Sequence, residues 1–147
     1  MKDNVVGNLY LNMDSLTGIG KLLYSDSGVK CSENDVLLLM DGASSGKSFF
    51  GFSGIVGSTL CKIEHDNKIN SSILYLLLKF NEEHIKSNLT GSAVPHTDKN
   101  LVCSLLYPNV SEKEIEDVGT LLNLIVVYKK RIANLSRTKG LLINKYF

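Results

Sequence analysis

Apolar residues fall in short blocks up to about residue 64 and in steps of three and four beyond it. Short apolar blocks bounded by turn residues predict strands. Residues 9–13 (Leu-Tyr-Leu-Asn-Met) form one such block and residues 28–31 a shorter one, with a glycine-bearing turn over 15–20 between them. Residues 36–40 (Val-Leu-Leu-Leu-Met) carry no polar alternation, so this strand should be buried on both faces. Residues 41–48 are a glycine and serine loop. Residues 48–52 and 55–63 give the next two strands, with Gly54 marking a turn and Gly57 a bulge or a close backbone approach.

After residue 64 the period becomes helical. Asn70, Ser71 and Ser72 offer caps for a helix whose apolar face is Ile73, Leu74, Leu77, Leu78 and Ile85, ending near Lys86. Residues 90–96 are a turn. The apolar run 101–106 reads as a last strand, stopped by Pro108. Ser111 followed by Glu114 is a capping box that opens a long helix. Along it Val118, Leu121, Ile125, Tyr128, Ile132, Leu135, Leu142 and Tyr146 form an apolar stripe, interrupted by Lys139. Roughly 35 helical residues run about 50 Å at 1.5 Å per residue, more than a small head can cover. The stripe therefore predicts a partner helix, with Lys139 available to set register. The alternative is that the stripe packs entirely on its own head. The fold class is α+β: a small β-rich head with a short helix over 1–108, then one long helix of coiled-coil type over 109–147.

Composition adds an asymmetry. The net charge is +1, but residues 111–147 hold seven basic and four acidic residues, and everything from Tyr128 onward is free of acids. Basic residues late in a helix complement its dipole; contact with a polyanion is the sharper reading. Three cysteines at wide spacings, with no Cys-x-x-Cys pair, argue against zinc and for reduced, mostly buried thiols. No apolar run follows Met1, and the run 74–78 is too short to span a membrane, so a cytoplasmic protein is expected.

Candidate chemistry is sparse. Gly42-Ala43-Ser44-Ser45-Gly46-Lys47-Ser48 looks like a phosphate loop, but it has three residues between its glycines where that motif needs four, and strand-like Phe49-Phe50 follows it. A turn between strands is the plainer reading. A third is a polar loop offering Ser44, Ser45 and Lys47 to nucleic-acid phosphates. His65 and His84 sit among charges, and His96 follows Pro95 in a turn. No catalytic triad, carboxylate pair or metal motif stands out, so no cofactor, metal or catalytic residue is expected.

In order along the chain, these segments resemble the specificity subunit of type I restriction–modification systems. Asn34-Asp35-Val36-Leu37-Leu38 with the 41–47 loop, Gly54-Ile55-Val56-Gly57, the run from Ile73 to Leu78, Thr90-Gly91-Ser92-Ala93-Val94-Pro95-His96 and the closing Lys139-Gly140-Leu141-Leu142 to Phe147 match family motifs; Ile115 departs from the usual glutamine. The resemblance implies a non-catalytic DNA-recognition subunit. Its partners would be double-stranded DNA, a methyltransferase (modification) subunit and a restriction subunit, with homodimerisation through the terminal helix. DNA would lie across Ser44, Ser45 and Lys47, then His96 and Lys99. With one head and one helix, and a head that starts late against the family pattern, the chain resembles a half subunit or a truncated form. A truncated assembly piece that pairs with another specificity subunit without binding DNA is the alternative.

Overall fold

The computed structural model describes residues 7–66 and 69–146; Met1 and the motif-closing Phe147 lie outside them. Among these described residues seven strands form two sheets. The first has the order β2 (Leu23–Ser25), β1 (Asn8–Leu11), β6 (Gly54–Val56), β3 (Lys30–Cys31), with β1 and β6 parallel. The second is antiparallel, with β4 (Val36–Leu39) between β5 (Ser48–Phe49) and β7 (Leu60–Ile63). The helices are α1 (Met13–Thr17), α2 (Ser71–Phe80), α3 (Glu82–Ser87), α4 (Lys99–Ser104) and α5 (Glu112–Tyr146).

β4 is the centre of the head, and every residue in it is buried. Strand side chains alternate between faces. Leu37 and Leu39 join Leu11, Leu16, Cys31 and Leu60 in a core between the two sheets. Val36 points the other way, to a second core with Leu78 and Ile85 from the helices. An apolar run without alternation is what a strand with cover on both sides requires. Burying each such leucine contributes about 2 to 3 kcal/mol.

Several expectations change. Residues 15–17 belong to α1, not to a turn: Asn12 accepts from the Ser15 N–H at 3.0 Å while the Asn12 N–H donates to Ser15 Oγ at 2.8 Å, a capping box that also takes Met13 out of the strand. The strand expected over 55–63 divides at Gly57 into β6 and β7, which lie in different sheets. The 101–106 run is helical as far as Ser104, not a strand: Asp98 caps α4 by accepting from the N–H groups of Asn100 (2.8 Å) and Leu101 (3.5 Å). The thiols are not mostly buried, since Cys103 is exposed and Cys61 intermediate. Cys31 is the buried one. Burial, with Asp35 nearby and only partly offset by Lys62, pushes it up to about 11, so it stays a neutral thiol.

The helix expected to end near Lys86 is broken at Asn81 into α2 and α3. Glu82 spans the corner, accepting from Lys79 at 2.5 Å and Lys86 at 2.6 Å. Burial opposes its charge, but the two lysines outweigh burial and hold the carboxyl below its usual range. A depressed carboxylate pKa stabilises the fold above the unfolded-state value, and that contribution disappears as pH falls through the folded value. Glu82→Gln should therefore cost at most about 1 kcal/mol at neutral pH. The gap from the parent should close in acid, as measured by urea unfolding across pH.

The long helix forms as the capping box requires. The Ser111 N–H donates to Glu114 Oε2 at 2.8 Å and the Glu114 N–H to Ser111 Oγ at 3.3 Å. It docks on the head through a face distinct from the expected stripe. Gly119 passes Ser72, Leu122 is buried, Val126 packs on Gly51, and Lys130 pairs with Glu33. These positions repeat at helical spacing.

Candidate nucleic-acid interface

Two loops far apart in sequence are stitched into one surface. The 41–47 loop follows β4 and the 90–96 turn precedes α4. The Gly42 N–H donates to Pro95 O at 3.0 Å, and the Thr97 N–H to Met40 O at 2.8 Å. Thr97, fully buried, also donates its hydroxyl to Leu39 O at 2.8 Å. Asp41 and His96 form an isolated bridge and their side chains hydrogen-bond through Nδ1. The 41–47 loop joins two antiparallel strands, β4 and β5, and no helix follows it. Its amides thus lack the helix N-terminus that a phosphate loop uses.

Ser45 cannot present its hydroxyl to DNA. It is fully buried and donates to Gly42 O at 2.7 Å and Pro95 O at 3.0 Å. It is one of the stitches between the two loops. Ser45→Ala should cost about 1 to 2 kcal/mol in thermal or urea unfolding, as expected for losing a buried hydroxyl donor. His96 and Lys99 come together on a groove of about 410 Å³. Ser44 and Lys47 are half-buried on the adjoining loop and do not line it.

Sequence reasoning missed the charged and hydroxyl-bearing residues Asp41, Ser58, Lys62 and Glu64 of this groove. The Ser58 N–H is pinned by donation to Tyr10 Oη at 2.9 Å, and Lys62 pairs with Asp35 at 3.5 Å. Burial opposes the Asp35 charge, but hydrogen bonds from Ser32 and the Lys62 ammonium leave its carboxyl lowered. Lys62 and Lys99 line the groove together with Asp41 and Glu64. Its charge is nearly balanced before His96 is counted, so phosphate attraction by this surface alone is modest.

The stripe on α5 is a second surface. Leu121, Ile125, Tyr128, Ile132, Leu135, Leu142 and Tyr146 are between 40% and 69% exposed. The head does not cover them, so the alternative that the stripe packs entirely on its own head fails. Val118 is half-buried, at the border of the docked face. Leu122 and Val126 were absent from the expected stripe; their spacing with Ile115 and Gly119 was the signal that a second face existed.

No family model matches the chain. Over 121 residues it is 36% identical to the type I restriction enzyme MjaVIII specificity subunit of Methanocaldococcus jannaschii. That alignment covers 79% of this chain and 28% of the relative. This chain is a homologue of type I restriction specificity subunits. The crystal structure of the S subunit of a type I restriction–modification system from M. genitalium shares its fold, with a TM-score of 0.58 at 20% identity, over 78% of this chain and 30% of that one. The specificity-subunit homologue thus spans under a third of the length of either relative. Among its described residues no group of His, Cys, Asp and Glu is placed to hold a metal, and no helix is long and apolar enough to cross a membrane.

Proposed function

We propose that this specificity-subunit homologue is a non-catalytic DNA-recognition module of a type I restriction–modification complex. The head over 1–108 reads one half-site, and the helix from 109 on pairs with a second copy or an equivalent helix. The pair forms a scaffold for modification subunits, which restriction subunits join. The observation that carries the reading is the double-faced α5: one apolar face docks on the head while another stays open along its length. In a symmetric pair the interface is isologous, so the target would be an interrupted palindrome whose gap is set by the helices.

DNA contacts fall to His96 and Lys99 in the groove, with Ser44 and Lys47 beside it. Lys99→Gln should weaken DNA binding across all sequences and reduce its salt dependence by about one unit of slope. The test is co-expression with a modification subunit, followed by mapping of methylated sites. A symmetric bipartite site that vanishes without this chain is the expected result; an unchanged methylation pattern would sink the proposal. The balanced charge of the groove favours one second reading, an assembly piece that pairs without touching DNA. Complex formation with a full-length subunit but no DNA affinity at low salt would select it.

A further inference from the structure

A second cavity, of about 450 Å³, lies between the head and α5. Its size is that of a small-molecule site. The head contributes aromatic walls. Phe49 and Phe52 meet edge to face at 6.3 Å, and Phe50 stacks on Tyr75 at 5.6 Å. The helix contributes Val126, Lys129, Lys130 and Ala133.

Most polar groups here are already committed. Ser15 and Thr17 donate their hydroxyls to Asn12 O (2.9 Å) and Met13 O (2.6 Å). Lys79 is held by Glu82, and Lys130 by Glu33. Among the described side chains three groups are left over, the half-buried Tyr75 hydroxyl and two that differ from it in charge or depth. Ser48 is 3% exposed, and its Oγ is a buried oxygen without a hydrogen-bond partner. A buried hydroxyl left unpaired is costly, and native structures rarely keep one without a reason. Lys129 makes no ion pair with any described residue.

We propose that this cleft binds a small carboxylate with an aromatic or branched apolar body. The body fills the space between Phe50, Phe52 and Val126, and the carboxylate takes the Ser48 hydroxyl and the Lys129 ammonium. A single uncommitted cation matches a monoanion; a phosphate dianion would leave one charge uncompensated in an apolar cleft. Because the walls come from both parts of the chain, an occupant would brace the angle between head and helix. The site stands apart from the DNA-recognition reading and does not depend on it.

The probe is para-trifluoromethylbenzoate, followed by fluorine NMR, with para-trifluoromethylbenzyl alcohol as its neutral counterpart. The acid should bind saturably near about 1 mM, the range for an efficient ligand of this size. The alcohol, Ser48→Ala and Lys129→Gln should each weaken binding about tenfold, the value of one charge-assisted hydrogen bond. Lys113→Gln, on the first turn of α5 and outside the cleft, should leave the affinity unchanged. Ser48→Ala should also leave the thermal midpoint equal or higher, since it removes a hydroxyl with nothing to bond. Absence of saturation, equal affinity for acid and alcohol, or equal affinity in Ser48→Ala overturns the site. So does a Ser48→Ala midpoint lower by several degrees, which would show the hydroxyl already satisfied within the chain.

Discussion

Gly57→Ala is expected to unfold the head under conditions where the parent chain is folded. A Cβ at Gly57 would lie 2.2 Å from the Leu11 carbonyl oxygen and 3.3 Å from its carbon. That same oxygen accepts the Gly57 N–H at 2.9 Å, and Leu11 is fully buried in the core between the sheets. Neither backbone can withdraw without breaking the parallel pairing of β1 with β6. A cost of about 3 kcal/mol or more follows, a large share of the stability of a small domain. Gly54, at the start of β6, has the same problem twice over, with a Cβ 2.1 Å from Leu9 O and a φ of +156°. Urea unfolding followed by circular dichroism measures both. Gly140→Ala is the control: nothing lies within 4 Å and the residue is inside α5, so alanine should stabilise by about 0.5 to 1 kcal/mol. Parent-like stability of Gly57→Ala would refute the pairing of β1 with β6.

The two faces of α5 should respond oppositely to one chemical change. Leu122→Asp places a carboxylate at a position 6% exposed against the head. It loses the burial of a leucine and gains an unpaired charge, together costing about 3 kcal/mol or more. The helix should then leave the head, and its amides should exchange with solvent while those of β4 stay protected. Ile132→Asp sits where 63% of the side chain is exposed, and should shift the stability of the isolated chain by less than about 0.5 kcal/mol. Its effect should be on association instead, read by sedimentation over a range of concentrations. If the parent chain is monomeric throughout, the homodimer is wrong. If Ile132→Asp loosens the head as Leu122→Asp does, the faces have been exchanged.

What was legible in the sequence followed from patterns that burial imposes directly. The unbroken apolar run of β4 announced a strand covered on both sides. The Ser111 and Glu114 box, with steps of three and four behind it, announced α5. Short apolar runs were ambiguous. Leu101-Val102-Cys103 fits a strand or one turn of helix equally, and the deciding signal was Asp98, an N-cap two residues before Asn100. Asn12 played the same part for α1.

The site was harder to read because its geometry depends on long-range pairing. The hydroxyl of Ser45 suits a phosphate contact or a loop tether, and only Pro95, fifty positions on, decides for the tether. His96 is likewise defined by Asp41, fifty-five positions back. The stripe on α5 was found, but the face that docks on the head was not, because Gly119 and Lys130 take part in it without being apolar.

Because α5 turns about 100° and climbs 1.5 Å with each residue, its two faces have a fixed phase. An insertion beyond Ala133 rotates the outer part of the stripe against the docked part. One added residue swings it by about 100°, whereas seven return it to within about 20° and lengthen the rod by about 10.5 Å. Measured on B-form DNA at about 3.4 Å per step, that is close to three base pairs. A rod of this kind changes length in jumps, so descendants of this helix would differ by whole multiples of two turns more readily than by single residues.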